Sequence, residues 1–136
     1  MTAVSHEIEI RVRYQETDGQ RRLHHANYFT YFEIGRTELL RSRGGSYRHF
    51  EDAGLMMVVS EASCRYRAPA EYDDLLTLRT WVEQVGGASI KHGYEVIREG
   101  VIIATGFTVV VCVDAEGKVR RLPEWLLKCG KQGGRN

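Results

Sequence analysis

The sequence is poor in the features that mark membrane-spanning, disulfide-stapled, fibrous or disordered chains. Its 136 residues include two prolines and three cysteines, and its formal net charge is only +1. No window approaches the roughly eighteen apolar residues that a spanning helix needs, and no repeat or low-complexity block is present. The small net charge argues against a nucleic-acid binder, which usually carries a strong basic field. What remains is an ordinary soluble globular composition, with 43% hydrophobic and 27% charged residues.

Chain length and cysteine usage restrict the domain organisation and the compartment. A chain of this size buries a core without disulfides or metals, so we predict one domain over residues 1–136, with about 130–136 as a flexible tail. The three cysteines, Cys64, Cys112 and Cys129, are odd in number and widely spaced. The N-terminus has no basic region followed by an apolar run. These features predict a protein of the reducing cytoplasm.

The hydrophobic period changes within the first half of the chain. Residues 7–14, EIEIRVRY, alternate in polarity and predict a half-buried strand whose apolar face carries Ile8, Ile10, Val12 and Tyr14. From about Asn27, apolar residues recur every three or four positions until RSRGG, which predicts an amphipathic helix of about sixteen residues. Gly35 inside this helix costs about 1 kcal/mol relative to alanine, so we expect another segment to approach closely there.

Four strand-like segments follow a less regular connection with one short helical turn. VVSEASCRYRA places mostly apolar residues on one face, at Val58, Ala62, Cys64, Tyr66 and Ala68. LLTLRTWVEQV and SIKHGYEVIR also alternate, and VIIATGFTVVVCV is apolar on both faces, as an interior strand would be. A short hairpin and a closing helical turn, PEWLLKC, come last. One long helix together with five strands predicts an α+β fold in which an antiparallel sheet curls around the helix.

The stretch ETDGQRRLHHANYF, residues 16–29, concentrates titratable groups between the first strand and the helix. Asp18 could act as a general base or nucleophile, although Thr-Asp-Gly is also ordinary turn chemistry. His24 and His25 are neighbours that should point apart, and no further ligand at suitable spacing completes a metal site, so we predict none. The free backbone amides at the helix start would stabilise an oxygen that gains negative charge. A carboxylate followed by such amides has two parts of an acyl-transfer site.

These residues resemble a known family. VRYQETDGQRRLHHANYFTYFEIGRTELLRSRG, residues 12–44, is similar to the hotdog-fold acyl-CoA thioesterases of the 4-hydroxybenzoyl-CoA thioesterase group, including those associated with the Tol–Pal system. In that group a strand leads into a Thr-Asp loop, a His/Tyr-x-Asn-Tyr helix start, and an aromatic-rich helix that ends in Arg-Thr-Glu and a glycine. The similarity continues more loosely to RRLP. It implies a hotdog fold, one long central helix wrapped by a five-stranded antiparallel sheet, and a thioester hydrolase without cofactor or metal.

The resemblance also implies roles for individual residues. The family's catalytic aspartate falls on Asp18, as base or nucleophile, and the backbone N–H that polarises the thioester carbonyl falls on His25. The sequence departs from the family at Arg21 and Arg22, where glycine and small apolar residues are common. These cations would lower the pKa of Asp18, or would bind an anionic acyl group or a CoA phosphate. A different loop path is the other interpretation of Arg21.

Weaker signals predict further substrate contacts. Tyr28 belongs to an aromatic stripe that shapes either an acyl pocket or the core. Ser60 and Glu61 lie in the region that borders the acyl pocket in such folds, although an exposed edge position also explains them. Arg65 and Arg67 are expected on one face, at the surface or at a subunit contact, where they could meet CoA phosphates.

The predicted function is hydrolysis of an aryl- or fatty-acyl-CoA thioester to the free acid and CoA. Because the sheet has open edges, we predict that subunits pair sheet to sheet, and the family suggests homodimers and homotetramers. The alternative is a non-hydrolytic module that binds acyl-CoA or acyl carrier protein. A hotdog hydratase fits less well, because the His-and-acid arrangement on the long helix is not evident. We interpret His92 as a strand histidine with satisfied hydrogen bonds.

Overall fold

One long helix and five strands form the part of the chain that the computed structural model describes, residues 4–126. In chain order the elements are β1 (Ser5–Arg11), a 3₁₀ turn (Tyr14–Glu16), α1 (Asn27–Ser42), α2 (Tyr47–Asp52), β2 (Leu55–Tyr66), β3 (Leu75–Val85), β4 (Ser89–Arg98) and β5 (Val101–Asp114). All strand pairs are antiparallel, and the sheet order is β1-β3-β4-β5-β2. The predicted α+β architecture is confirmed, with β5 inside the sheet and β2 at one edge.

Helix α1 covers the sixteen residues that its hydrophobic period predicts. Its buried positions recur at helical spacing and are Tyr28, Tyr31, Phe32, Gly35, Leu39 and Leu40. After the helix, Gly44 has a left-handed backbone with φ of 87°, and the amide of Gly45 donates to the carbonyl of Leu40 at 3.1 Å. The glycines of RSRGG therefore end the helix as predicted.

Gly35 lets α1 approach β3 closely. A Cβ atom at this position would lie 2.4 Å from Thr80 Oγ1 and 2.7 Å from Leu78 Cδ2, which is inside van der Waals contact. Thr80 and Leu78 are both buried, so the helix backbone covers their side chains directly. The close approach predicted from the glycine is confirmed, and the atoms that approach belong to β3 side chains.

Two clusters of buried side chains hold α1 on the sheet. In the first, the ring of Phe32 stacks on Tyr94 with 4.1 Å between centroids. The second lies beside α2 and includes Phe50 and the free thiol of Cys112. Apolar burial of this kind is the main favourable term in folding, and packed interiors are close-packed. The first cluster therefore holds the N-terminal half of α1 firmly against the sheet.

Two details of the strand prediction are wrong. Tyr14 is not on the buried face of β1, because the strand has ended and the side chain is 77% exposed in the 3₁₀ turn. In β2 the register shifts between Val59 and Glu61, so Ser60 occupies a β-bulge. A bulge moves the following side chains to the opposite face. Val58, before the bulge, therefore points away from the core and is 39% exposed.

The end of the described chain agrees in outline with the prediction. The terminal hairpin consists of one isolated bridge between Val113 and Val119. Residues 124–126 have helical backbone, which is the beginning of the predicted turn PEWLLKC. Cys129 and the predicted flexible tail lie outside the described residues. No helix within residues 4–126 is long and apolar enough to cross a membrane.

Candidate active site

A tight loop between β1 and α1 carries Asp18. The amide of Asp18 donates to the carbonyl of Arg22 at 2.8 Å, and Thr17 pairs with Leu23 in an isolated antiparallel bridge. The carboxylate oxygen Oδ1 accepts hydrogen bonds from the amides of Gln20 at 2.8 Å and Arg22 at 3.1 Å. No described residue donates to Oδ2. One carboxylate oxygen therefore holds the loop, and the other is free for water or substrate.

The pKa of Asp18 lies below its ordinary value. The hydrogen bond from the Arg22 amide is the largest cause, followed by that from the Gln20 amide, while the electrostatic effect of His24 contributes less. The direction agrees with the prediction, but the cause is corrected: backbone amides, rather than the guanidinium groups of Arg21 and Arg22, stabilise the anion. Asp18 is consequently ionised at neutral pH, as a general base must be.

The turn before α1 contains His25. The amide of Asn27 donates to the carbonyl of His24 at 3.0 Å, and the amide of Ala26 donates to His24 Nδ1 at 3.1 Å. The amide of His25 donates to no described residue, as expected for a donor just before a helix. The carbonyl of His25 accepts a hydrogen bond from the Tyr66 hydroxyl at 3.0 Å. The turn is thus fixed by its neighbours while the His25 N–H is left available.

The two histidine rings do not point apart. The rings of His24 and His25 stack with 4.3 Å between centroids, so the prediction of opposite directions is wrong. The physical reason is that a turn begins at His24, closed by the bond from the Asn27 amide, and successive side chains alternate in direction only in a strand. Within residues 4–126, no group of three or more His, Cys, Asp or Glu side chains is placed to hold a metal ion.

A cleft of about 320 Å³ lies between the Asp18 loop, the start of α1 and the end of β2. Its lining residues are Asp18, Arg22, Leu23, His25, Tyr28, Tyr66, Arg67, Ala68 and Pro69. Five of the residues that the sequence singled out therefore meet in one cleft: Asp18, Arg22, His25, Tyr28 and Arg67. Tyr66 was predicted only as a strand residue, and nothing in the local alternation indicates that it faces His25.

Two tyrosines form the aromatic side of the cleft. Tyr28 is 2% exposed and meets Tyr66 edge to face, with 5.0 Å between ring centroids. Burial, with the nearby Cys64 thiol, raises the pKa of Tyr28 to about 12 and that of Tyr66 to about 12. Both phenols are neutral at physiological pH, so they present apolar rings and hydroxyl donors rather than charge.

Two arginines give the cleft a positive edge. Arg22 and Arg67 are exposed, and neither guanidinium pairs with a carboxylate within the described residues. Asp18 is the one acidic residue that lines the cleft. Two cations beside a single carboxylate favour an anionic ligand.

Other predicted site residues lie outside this cleft. Ser60 occupies the bulge of β2, where its hydroxyl donates to the Val109 carbonyl at 3.4 Å, and Glu61 is exposed next to it. Arg21 is exposed and has a left-handed backbone with φ of 65°, a conformation that glycine adopts without strain. Arg65 lines a separate groove, so it is not grouped with Arg67.

His92 differs from its prediction in one respect. It lies buried in β4, but its Nδ1 has no hydrogen-bond partner among the described residues, so the prediction of a satisfied histidine is wrong. Burial, followed by the charge of Arg36, lowers the pKa of His92 to about 3. The imidazole is neutral and lies outside the Asp18 cleft.

The sequence profile of the thioesterase superfamily matches residues 21–104, more than half of the chain. The chain belongs to the thioesterase superfamily. It is similar to acyl-CoA thioesterase YbgC of Haemophilus influenzae, at 34% identity over 82% of each chain. It is also similar to acyl-CoA thioester hydrolase YbgC of Escherichia coli O157:H7, at 32% identity over 90% of this chain and 93% of that one.

Solved structures support the same assignment. The DHNA-CoA thioesterase of Staphylococcus aureus superposes with a TM-score of 0.87 at 27% identity, covering 97% of this chain and 96% of that one. The predicted hotdog fold is therefore confirmed, and the predicted enzyme class, thioester hydrolase, is confirmed at the level of the family. The matched profile begins at residue 21, just after Asp18.

Proposed function

We propose that the protein is an acyl-CoA thioesterase that hydrolyses a CoA thioester to the free acid and CoA. The observation that carries this proposal is the cleft in which the ionised carboxylate of Asp18 and the available amide of His25 meet. A carboxylate can activate water, and an amide near a helix N-terminus can stabilise the oxygen that gains charge as the carbonyl is attacked.

The proposed reaction uses these two groups in one of two ways. As a general base, Asp18 takes a proton from water while the water oxygen bonds to the thioester carbon. The C–S bond then breaks and the proton passes from Asp18 to the leaving sulfur, so CoA leaves as the thiol and Asp18 returns to its carboxylate form. As a nucleophile, Asp18 attacks the carbon itself, the C–S bond breaks and CoA leaves as the thiolate, which takes up a proton; water then hydrolyses the mixed anhydride to the free acid and restores the Asp18 carboxylate. In both cases the His25 amide and the dipole of α1 stabilise the carbonyl oxygen.

A non-hydrolytic module that binds acyl-CoA or acyl carrier protein is the second candidate. It is favoured by the hydrogen bonds that Asp18 Oδ1 accepts within its own loop, which give the carboxylate a structural role. Assaying the wild-type protein against aryl- and fatty-acyl-CoA esters, with thiol release as the readout, separates the two candidates. Turnover of at least one ester supports the hydrolase, whereas binding without thiol release from any ester supports the module.

The acyl group is proposed to lie against Tyr28 and Tyr66, whose rings suit an aryl or fatty-acyl chain. Membership of the 4-hydroxybenzoyl-CoA or Tol–Pal-associated group is a finer proposal, motivated by the motif in residues 12–44. Comparing 4-hydroxybenzoyl-CoA with a long-chain acyl-CoA in the same assay tests it. The free thiols of Cys64 and Cys112 suit the reducing cytoplasm, where we propose that the protein works.

Arg22 and Arg67 are proposed to bind the phosphates of CoA. Because exposed ionic contacts are individually weak, we expect Arg67→Gln to raise KM for an acyl-CoA about three- to tenfold with little change in kcat. Arg48→Gln, an exposed arginine outside the cleft, should leave KM unchanged. If Arg65→Gln raised KM and Arg67→Gln did not, CoA would lie over the other groove and this assignment would be wrong.

The protein is proposed to form a homodimer through the edge strand β2, and dimers of this kind could build a tetramer. One edge of β2 is unpaired, and Met56, Val58 and Val59 on it are 47%, 39% and 50% exposed. An exposed apolar edge strand is a template for pairing with a second copy. Such pairing would place Ser60 and Glu61 at the subunit contact, where they could border a shared acyl pocket.

A charge on this edge should oppose the dimer. We expect light scattering to give the wild type a mass that is a multiple of 15.5 kDa, and Val59→Glu to shift it toward the monomer mass. Val101→Glu, at a similarly exposed valine of β5, is the matched control and should keep the wild-type mass. A wild-type protein that is monomeric at assay concentrations would contradict the proposal.

A further inference from the structure

Glu16 is a buried carboxylate two residues before Asp18, and the proposed reaction does not use it. It is 7% exposed. Its side chain accepts hydrogen bonds from the Arg13 amide at 2.9 Å, from the Arg13 guanidinium at 2.8 and 3.0 Å, and from the Tyr31 hydroxyl at 2.7 Å. Burial alone would raise the pKa of Glu16, but these hydrogen bonds outweigh it and lower the pKa. Glu16 is therefore ionised, and the hydrogen bonds of its carboxylate hold Arg13 and Tyr31 in place.

The main-chain carbonyl of Glu16 makes a second set of contacts. It accepts a hydrogen bond from the His24 amide at 2.9 Å and another from Asn27 Nδ2 at 2.8 Å. His24 and Asn27 are joined to each other by the bond from the Asn27 amide to the His24 carbonyl at 3.0 Å. Two hydrogen bonds thus tie both ends of the turn that contains His25 to Glu16, near Asp18, and the third joins those two ends to each other.

Glu16 is also attached to α1 at two points. Asn27 donates to its carbonyl and Tyr31 to its carboxylate, and residues four apart lie on the same face of a helix. A single contact would fix only the distance between the helix and the loop. Two contacts one turn apart also fix the rotation of the helix start, and with it the direction of the His25 N–H.

We infer that Asn27 and Tyr31 are positioning residues that act through Glu16 to hold the His25 amide in register with the Asp18 carboxylate. This inference rests on the proposed thioesterase function. The physical reason is that an amide stabilises the developing oxyanion only within a narrow distance and direction, while the Asp18 loop is fixed separately by its own hydrogen bonds. The Asp18 loop and the turn that carries the His25 amide must therefore be held by contacts to the same residue.

The test compares two buried hydroxyl groups. Tyr31→Phe removes the 2.7 Å bond to Glu16, and the matched control Tyr94→Phe removes the 2.6 Å bond between Tyr94 and Thr108, outside the cleft. We expect Tyr31→Phe to lower kcat about tenfold to a hundredfold with KM changed less than about twofold, because misplacement by a fraction of an ångström affects the transition state most. Tyr94→Phe should keep kcat near the wild-type value. Equal losses of kcat in the two variants would overturn the inference.

A second variant and a second readout separate positioning from folding and from the proposed function. Asn27→Asp keeps the side-chain size and favours a helix start, but it turns an oxygen toward the Glu16 carbonyl, so kcat should fall as in Tyr31→Phe. Backbone ¹⁵N relaxation should show lower order parameters at residues 24–27 in both variants and not in Tyr94→Phe. Unchanged order together with unchanged kcat would overturn the inference while wild-type turnover still supported the thioesterase. A wild type that hydrolyses no thioester would instead overturn the proposed function, and with it the catalytic part of the inference.

Discussion

Asp18→Asn should lower kcat for thioester hydrolysis by about 10²- to 10⁴-fold, the usual loss when a general base is removed. Asparagine keeps a side-chain oxygen that can accept the hydrogen bonds from the Gln20 and Arg22 amides, so the loop should keep its shape. The lost negative charge is then the main change in the cleft. The measurement is steady-state kinetics on the best acyl-CoA substrate, with binding of that substrate followed separately.

The control is Asp73→Asn, which removes the same charge from another turn. Asp73 has a left-handed backbone with φ of 72° and lies outside the cleft, so its replacement should leave kcat unchanged.

The activity should also depend on the protonation of Asp18. The pKa of Asp18 is lowered from its ordinary value of 3.8, so the carboxylate is charged at neutral pH and becomes protonated only as the pH falls through that lowered pKa. The fall of kcat/KM at acid pH that protonation of Asp18 causes should therefore occur below pH 3.8. Hydrolysis that survives Asp18→Asn undiminished would refute the proposed mechanism.

Phe32→Ala should reduce the free energy of unfolding by about 3–5 kcal/mol, the range for removing a large side chain from a packed core. Phe32 is fully buried, stacks on Tyr94, and lies where a Cβ atom on Gly106 would be 2.6 Å from its Cε2. These contacts fill the space between α1 and the centre of the sheet. Urea denaturation at a fixed protomer concentration measures the loss.

Phe32→Leu provides the graded comparison. Leucine keeps most of the apolar volume, so we expect a loss clearly smaller than that of Phe32→Ala. A loss below about 1 kcal/mol for alanine would mean that the space collapses and that Phe32 does not hold α1 on the sheet. Both variants also test the support of the site, because Phe32 lies one helical turn beyond Tyr28.

Much of the fold follows from local chemistry that the sequence displays. The sixteen residues of α1, its glycine stop and the interior strand β5 were predicted from hydrophobic period and turn residues alone. The bulge at Ser60 was not, because Val58 and its neighbours are apolar enough to suit either face. Tyr14 was misplaced for a related reason: an alternating pattern does not show at which residue the strand stops.

For the candidate site, the sequence by itself predicted the two groups to which we assign catalysis, the Asp18 carboxylate and an amide before α1, because both lie in one short segment that resembles a family motif. Only the tertiary structure decided what surrounds them. Tyr66, the last residue of β2, and Arg67, which follows it, reach the cleft, and Glu16 ties the loop to the helix through Tyr31. These contacts join residues far apart in the chain, so no local pattern encodes them. They form because the sheet packs around α1 in one way, which brings the end of β2 against the turn that contains His25.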